Sequence, residues 1–324
     1  MSDIEAVPSV PVPAGPASER PQATLLQAIL LRQAGVITRE QARAAGLSSD
    51  AVDRRLATRR WHPVHPRVYR DGGFPDSDEA RVRAAVAWAG EGAVLSGAAA
   101  AWWQGLLADP PSVVGVTVPR RRCPRPRPGV AVRRRELDGA DARTVRGVRV
   151  TAAALTVLEA AVELGADGPG FLDRSLAGAR VPFDDLAAAH ARNLGAHGAA
   201  AAGRLLAAAA RRGVAAAEHR LCGLLRAAGV SGWARDHTVA GLRLDVAFPA
   251  ARVTVTVHDR TVPGDPGRIA EARWRRAVLR RQGWRVLLVD PVELTARPAA
   301  VLGEILRAVS DGPTAPAGAA RVAS

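Results

Sequence analysis

The sequence predicts a multidomain protein of the α/β class (multidomain α+β), in which helices and strands alternate through three folded regions. The chain has 324 residues, 48% of them apolar, which is enough for two or three hydrophobic cores. Its N-terminal part has a helical pattern followed by short extended segments, and its last third has the element order αβββαβ. We therefore expect an N-terminal helical domain with a strand hairpin, a mixed α/β middle domain and a C-terminal domain built around one sheet.

Composition excludes several classes of protein. The two cysteines, Cys123 and Cys222, are too few for a disulfide framework and fit no zinc spacing, which favours a reducing, cytoplasmic location. No apolar run reaches the length of a membrane span, so no membrane partner is expected. Residues 1–21 carry early acidic residues and repeated prolines, which predicts a disordered arm and not a signal peptide or anchor. Residues 311–324 are predicted to form a disordered tail.

Positive charge is concentrated in three blocks of the chain. The net charge is +14 with no lysine at all. Nine arginines against three acidic residues lie in 22–70, eleven against three in 119–149, and seventeen against nine in 208–310. Codon bias in a GC-rich genome explains the use of arginine over lysine, but it does not explain this segregation. The blocks therefore favour a polyanionic partner, most simply DNA.

Residues 22–74 carry the pattern of three short helices followed by an extended hairpin. The first helix is indicated by LLQAILLRQ, and Thr38 with Gln41 three residues later predicts a capping box at the start of the second. Ser49 is predicted to cap the third helix, which places Val52 inside and its arginines outside. The segment WHPVHPRVYR is typical of a wing. Two helices around a short turn, followed by a wing, make a winged helix-turn-helix domain.

The run GVITREQARAAGLSSDAVDRRLATRRWHPVHPRVYR is similar to the N-terminal domain of the AbiEi antitoxins, the DNA-binding repressors of type IV toxin–antitoxin pairs. The resemblance implies that the third helix and the wing contact operator DNA, and that a cognate toxin or self-association provides any protein partner. The alternative is a surface helix with a solvated arginine face. The implied DNA contacts are Ser49, Arg54, Arg55, Arg59 and Arg60 on the helix, and Arg67 and Arg70 on the wing.

Residues 75–207 resemble the region that follows the winged domain in AbiEi-like proteins. Ser96 is predicted to begin a helix that ends at Trp102 and Trp103, and the strand-like segment VVGVTVP follows. The next segment, residues 120–127, alternates arginine with proline, so it cannot form a regular helix. We interpret it as a loop that follows phosphates, with a solvated loop as the alternative. Its predicted contacts are Arg120, Arg121, Arg122, Arg125 and Arg127.

Residues 208–310 have the order αβββαβ, which is the core of the restriction-endonuclease-like fold. A helix over residues 214–228 is expected first, followed by the strands. If residues 249–252 form a turn and Phe248 pairs with Val253, then Thr256 lies opposite Asp245.

The segments AEHRLCGLLRAAGV, LRLDVAFPAARV and RRAVLRRQGWRVLLVD resemble the very-short-patch-repair-like branch of that superfamily. In that branch a helix glutamate, a strand aspartate and a further glutamate hold a divalent metal, and by position the first two roles fall on Glu218 and Asp245. The third falls on Thr256, whose neutral hydroxyl binds Mg²⁺ or Mn²⁺ weakly. Asp259, beside His258, replaces it only if a bulge shifts the strand by one residue.

An active nuclease would therefore use Glu218, Asp245 and Asp259 with Mg²⁺ or Mn²⁺, and His258 in support. Two structural alternatives remain open: Glu218 as a first-turn acid favoured by the helix dipole, and Asp245 as a partner of Arg243 or Arg252.

The sequence as a whole predicts a DNA-binding, antitoxin-like regulator that carries a weak or inactive nuclease-like domain. The alternatives are an active metal-dependent DNA endonuclease and a protein-interaction scaffold that binds an acidic partner.

Overall fold

The computed structural model describes residues 19–178, 180–257 and 266–311, which divide into two compact units. The first unit extends to Glu163 and the second begins at Leu164. Each unit combines helices with at least one sheet, which confirms the predicted mixed α/β class. The division lies inside the segment 75–207 that the sequence predicts as one middle domain. In the described ranges, no helix combines the length and apolarity needed to cross a membrane.

The first unit begins with three helices and a strand hairpin. Their order agrees with the prediction, and the three strands form an antiparallel sheet of order β1-β3-β2. The core beneath them contains Ile37, Val52 and Trp61, all nearly inaccessible to solvent. The elements are α1 (Glu19–Arg32), β1 (Val36–Thr38), α2 (Arg39–Ala44), α3 (Ser49–Ala57), β2 (Trp61–His65) and β3 (Val68–Asp71).

The caps of α2 and α3 follow from side chains next to their first turns. The capping box of α2 is confirmed: Thr38 Oγ1 accepts from the Gln41 amide at 3.0 Å, and Gln41 Oε1 accepts from the Thr38 amide at 3.0 Å. For α3 the predicted cap is one residue too late. Ser48, in extended conformation, caps the helix by accepting from the Ala51 amide at 3.1 Å, and Ser49 is the first helical residue.

The rest of the first unit is built on a mixed five-stranded sheet of order β6-β5-β4-β8-β7. Ser96 is the N-cap of α5, which ends at Trp103 as predicted. Helix α4 packs on the N-terminal hairpin, because Ala80 and Ala84 share a buried cluster with Val36 and Val68. The elements are α4 (Asp78–Ala89), β4 (Val94–Leu95), α5 (Gly97–Trp103), β5 (Val114–Val118), β6 (Val130–Arg134), β7 (Ala142–Val145), β8 (Val148–Thr151) and α6 (Ala153–Glu163).

The second unit contains the predicted αβββαβ order around a four-stranded sheet, β12-β11-β10-β9. Only the pair β11 and β12 is parallel, and Phe248 pairs with Val253 as the sequence predicts. The elements are α7 (Gly168–Ala177), α8 (Phe183–Arg192), α9 (Ala199–Ala227), β9 (Ala234–Val239), β10 (Leu242–Phe248), β11 (Val253–Val257), α10 (Pro266–Arg281), β12 (Arg285–Val289), α11 (Pro291–Ala296) and α12 (Pro298–Ser310).

Helices cover both faces of this sheet. Val253, Val255 and Val257 pack with α9, α11 and α12 on one face. Thr254 points to the opposite face, where its Oγ1 donates to the Val246 carbonyl at 3.0 Å, and Leu279 of α10 packs there. The helix predicted over 214–228 is the C-terminal part of the longer helix α9, because the alanine-rich segment before it continues the helix without a break.

Candidate functional site

Three exposed arginines lie at the end of α3 and in the turn that follows it. Arg54 is on the last turn of the helix, and Arg59 and Arg60 come directly after Thr58, its C-cap residue. Arg59 has a φ of 55°, so the chain leaves the helix through a left-handed residue and turns toward β2. In the described part of the chain none of the three guanidinium groups has an ion-pair partner, and Ser49 is exposed at the other end of the helix. This surface is free to contact an anion.

Two other predicted contacts, Arg55 and Arg70, have internal partners. The Arg55 guanidinium lies over the Trp61 ring, 5.6 Å from its centroid, and Nη1 donates to the Ala51 carbonyl at 3.1 Å. Burial, with a smaller contribution from the charge of Arg60, lowers the pKa of Arg55. Arg70, whose side chain is 16% exposed, donates to the Phe74 carbonyl at 2.6 Å. Both side chains stabilise the hairpin, which leaves them less free than Arg54 to reach DNA.

An ion pair fixes α2 against α3. Arg39 binds both carboxylate oxygens of Asp53, at 2.8 and 3.0 Å, and its Nη1 lies 3.4 Å from the Tyr69 hydroxyl. The hydrogen bond from Arg39 lowers the pKa of Asp53 and raises that of Arg39. Because a bidentate pair restricts both side chains, it holds the angle between the two helices.

The predicted arginine–proline loop lies beside the hairpin. Arg67, at the hairpin tip with a φ of 65°, and Arg122 line the same groove. The charge of Arg127 acts on His65, at the end of β2. Residues 120–127 form no helix, as the alternation of proline and arginine predicts, and Arg127 makes an isolated β-bridge with Val130. The structure therefore joins two predicted contact elements into one basic surface, with Arg120, Arg121 and Arg125 exposed along the loop.

His65 gives this surface a measurable dependence on pH. Its ring packs 5.4 Å from that of Trp88, and burial, followed by the charge of Arg127, lowers its pKa from 6.5. The unfolded chain therefore takes up a proton first as the pH falls below 6.5, so stability decreases toward the folded pKa.

We expect the unfolding free energy to fall between about pH 7.5 and 5.5, by up to roughly 1 kcal/mol from this residue after solvent screening. In His65→Phe the decrease should be smaller, because no group titrates there. Denaturant titrations at pH 7.5 and pH 5.5 measure the unfolding free energy of each protein. His62→Phe, at an exposed position, is the control. An equal decrease in both variants would contradict the assignment.

Sequence reasoning missed a partly buried ionic cluster that uses part of the second basic block. Glu159 and Glu163 of α6 accept from the amides of Gly97 and Ala98 at 3.1 and 2.7 Å. Arg133 donates to Glu163 at 2.6 Å, and Arg135 pairs with Glu159. Burial raises the pKa of Glu159. Two acids four residues apart on an otherwise apolar helix were the available signal.

Two more arginines of this block, Arg143 and Arg146, also have internal partners. Arg143 donates to Gln104 Oε1 at 3.1 Å, and the Arg146 guanidinium lies 3.8 Å from the centroid of the Trp103 ring. Arg146 also donates to the Trp103 carbonyl at 2.9 Å. The second block is therefore partly structural, and its free charge is concentrated in residues 120–127.

In the second unit, Glu218 lies on α9 and Asp245 on β10, close enough for their charges to interact. Burial raises the pKa of Glu218, and the negative charge of Asp245 raises it further. Both structural alternatives of the sequence analysis are corrected. Glu218 is not in a first turn, since α9 begins at Ala199, and Arg243 pairs with Asp236 at 3.1 Å. In the described ranges no ion pair links Asp245 to any arginine.

The other donors of a metal site are not assembled in the described residues. His258 and Asp259 lie outside those residues, so the structure does not place them. Thr256 follows Val255, which faces α9, and therefore points to the other side of the sheet. Across the described ranges, no three His, Cys, Asp or Glu side chains form a group that fits a metal ion. Two carboxylates satisfy only part of the coordination that Mg²⁺ or Mn²⁺ requires, with water or phosphate oxygens as the remaining ligands.

This carboxylate pair is expected to reduce stability at neutral pH. The raised pKa of Glu218 means that its protonated form favours folding at acidic pH, and that this contribution is lost as the pH rises through the folded pKa. Glu218→Gln should therefore stabilise the protein at pH 7 by somewhat less than about 1 kcal/mol, since the group is partly screened by solvent.

Chemical denaturation at pH 5 and pH 7 tests this prediction, and Glu304→Gln at an exposed position is the control. The stabilisation should be larger at pH 7. A destabilised Glu218→Gln variant would mean that the carboxylate has a favourable partner instead.

Comparison with protein families finds a match over part of the chain. Residues 92–208 match the model of the AbiEi antitoxin C-terminal domain, a segment that extends from the first unit into the second. No curated protein is significantly similar to the chain.

Among the similar solved structures, two have low TM-scores. The catalytic domain of the homing endonuclease I-Bth0305I is 17% identical, with 28% of this chain and 91% of that chain covered and a TM-score of 0.25. The Rv2827c protein from Mycobacterium tuberculosis is 19% identical, with 57% and 80% covered and a TM-score of 0.32. These scores support no functional argument.

Proposed function

We propose that this protein is a cytoplasmic, DNA-binding regulator of the antitoxin type, in which residues 22–74 act as a winged helix-turn-helix domain. The observation that carries the proposal is the free basic surface formed by Arg54, Arg59 and Arg60 after α3, together with Arg67 at the tip of the β2–β3 hairpin. The match of residues 92–208 to an antitoxin domain supports the regulator class. A cognate toxin or a second copy of the chain is the proposed protein partner.

In this proposal α3 is the recognition helix and the hairpin is the wing. The exposed Ser49 at the start of α3 would reach base edges, since the N-terminal residues of such helices enter the major groove. The arginines at the end of the helix would bind backbone phosphates, which fix register and orientation. The pair between Arg39 and Asp53 holds α2 and α3 at the angle that this contact requires.

Fluorescence anisotropy with a labelled, random-sequence 30-base-pair duplex tests the proposal. Binding should persist in EDTA and weaken by roughly 10²-fold between 50 and 200 mM salt, as expected for four to five phosphate contacts. The absence of binding at 50 mM salt would contradict the proposal and favour a protein-interaction scaffold. Binding that requires a divalent cation would favour the endonuclease.

A metal-dependent DNA endonuclease is the second candidate function, which is supported by the electrostatic interaction of Asp245 on β10 with Glu218 on α9. We propose that this activity is weak or lost, since Thr256 supplies no carboxylate. Calorimetric titration of the full chain with Mn²⁺ should show no binding at micromolar affinity. Micromolar binding that disappears in Asp245→Ala, with Mn²⁺-dependent cleavage of the duplex, would place the endonuclease first.

A further inference from the structure

A groove of about 730 Å³ lies within the first unit, between α2, the hairpin tip and the C-terminal end of α4. Four arginines from three separate parts of the chain line it: Arg39 and Arg43 on α2, Arg67 on the hairpin, and Arg122 on the arginine–proline loop. Its wall includes Trp88. No local pattern in the sequence indicates that these side chains meet.

The charge in the groove is only partly compensated. Arg39 is paired with Asp53 at 2.8 Å, and Glu40 is a lining carboxylate. The side chains of Arg43, Arg67 and Arg122 form no ion pair with any residue that the structure describes. Three cations facing one carboxylate in a concave site produce a strong positive potential, because the protein walls screen charges less than water does.

Arg122 carries a buried hydrogen-bond donor that lacks an acceptor within the described part of the chain. Its Nε is buried and has no hydrogen-bond partner among the residues that the structure describes. Its guanidinium packs so closely on Gly90 that a Cβ at that position would lie 2.8 Å from Cζ, and Gly90 has a φ of 86°. The carbonyl end of α4 favours a cation beside Gly90, which accounts for the position of Arg122 but not for its unpaired Nε. A buried donor without an acceptor is costly, and an anion in the groove would stabilise the charge of the guanidinium that carries it.

We propose that this groove binds a backbone phosphate of the DNA, held by Arg43, Arg67 and Arg122. The inference rests on the proposed function and extends it to a second contact outside α3. Arg67 belongs to the hairpin that acts as the wing, and α2 is the helix that lies across the backbone in helix-turn-helix proteins. The arginine–proline loop therefore contributes to DNA binding through Arg122, and the phosphate contacts extend from α3 to the loop.

The test compares Arg43→Gln, Arg122→Gln and the double variant with the wild type on the random-sequence duplex. One phosphate contributes about 0.9 to the slope of log affinity against log salt, so the double variant should lower that slope by about 1 and each single substitution by less. Arg43 is exposed on α2, so its substitution leaves the fold intact. Arg122→Lys keeps the charge and should recover most of the slope. Arg204→Gln with Arg211→Gln, on the exposed side of α9, is the matched control.

The outcomes separate this inference from the proposed function. If the wild type binds DNA and the double variant has an unchanged salt slope, the phosphate contact in the groove is wrong and the proposed function stands. A wild type that does not bind DNA would overturn the proposed function and this inference with it. Calorimetry with inorganic pyrophosphate tests whether the groove binds a free phosphate ligand instead. If the double variant loses micromolar pyrophosphate binding but keeps its DNA affinity, the groove binds a small phosphate and the proposed DNA contact is wrong.

Discussion

Replacing Arg54, Arg59 and Arg60 together by alanine is expected to weaken DNA binding at 0.15 M salt on the order of 10²-fold. The three guanidinium groups are exposed and without ion pairs in the described part of the chain, so each can bind one phosphate. The salt slope should fall by nearly 3, since each lost phosphate contact removes about 0.9. Anisotropy titrations between 50 and 300 mM salt measure both quantities on the same duplex.

Two control variants sharpen this prediction. Arg204→Ala with Arg211→Ala removes two exposed charges from α9 and should leave the slope nearly unchanged. Arg55→Ala removes the guanidinium over Trp61, so it should lower the melting temperature of the protein. It should change the salt slope of DNA binding by less than the loss of one exposed phosphate contact does. If the triple variant keeps the wild-type affinity and salt slope, the end of α3 is not part of the DNA interface.

Trp61→Ala is expected to destabilise the first unit by about 3–5 kcal/mol, the usual cost of truncating a large buried aromatic residue. Trp61 is 1% exposed, and its ring lies 5.8 Å from that of Tyr69. Its Nε1 donates to Asp71 Oδ2 at 2.8 Å. The substitution therefore removes core volume, a stacked pair and a hydrogen bond together. Calorimetry should show a decrease in melting temperature on the order of 10 °C.

Trp274→Ala is the matched control, because that side chain is 55% exposed on α10 and its truncation should change stability by less than about 0.5 kcal/mol. Trp61→Phe should cost less than Trp61→Ala, since it keeps the stacked ring and loses mainly the hydrogen bond. Equal melting temperatures for Trp61→Ala and the wild type would contradict the role of this residue in the core. DNA affinity should decrease in Trp61→Ala as the folded fraction decreases.

The sequence predicted the features that depend on near neighbours. The capping box of Thr38 and Gln41 is confirmed, as is the pairing of Phe248 with Val253 across the turn. The αβββαβ order and the irregular loop at 120–127 are also found. Turns, caps and side-chain alternation are set by a few adjacent residues, so local patterns specify them.

Errors arose where adjacent residues satisfy the same local rule. Ser48 and Ser49 are both good caps, and the backbone conformation selects Ser48. The helix expected at 214–228 begins at Ala199, because alanine continues a helix at little cost and marks no boundary. That extension moves Glu218 out of the first turn and removes the helix-dipole explanation for it.

The sequence by itself determined the α/β class, the order of the elements and the excess of arginine in three blocks. Only the tertiary structure decided which arginines are free. It placed Arg55 on Trp61 and Arg135 against Glu159, and it left Arg54 exposed and brought Arg122 into one groove with Arg67. The physical reason is that a charged side chain finds its partner through space, across residues far apart in the chain. Composition counts every arginine equally, whereas packing determines which of them meets a carboxylate, a ring or solvent.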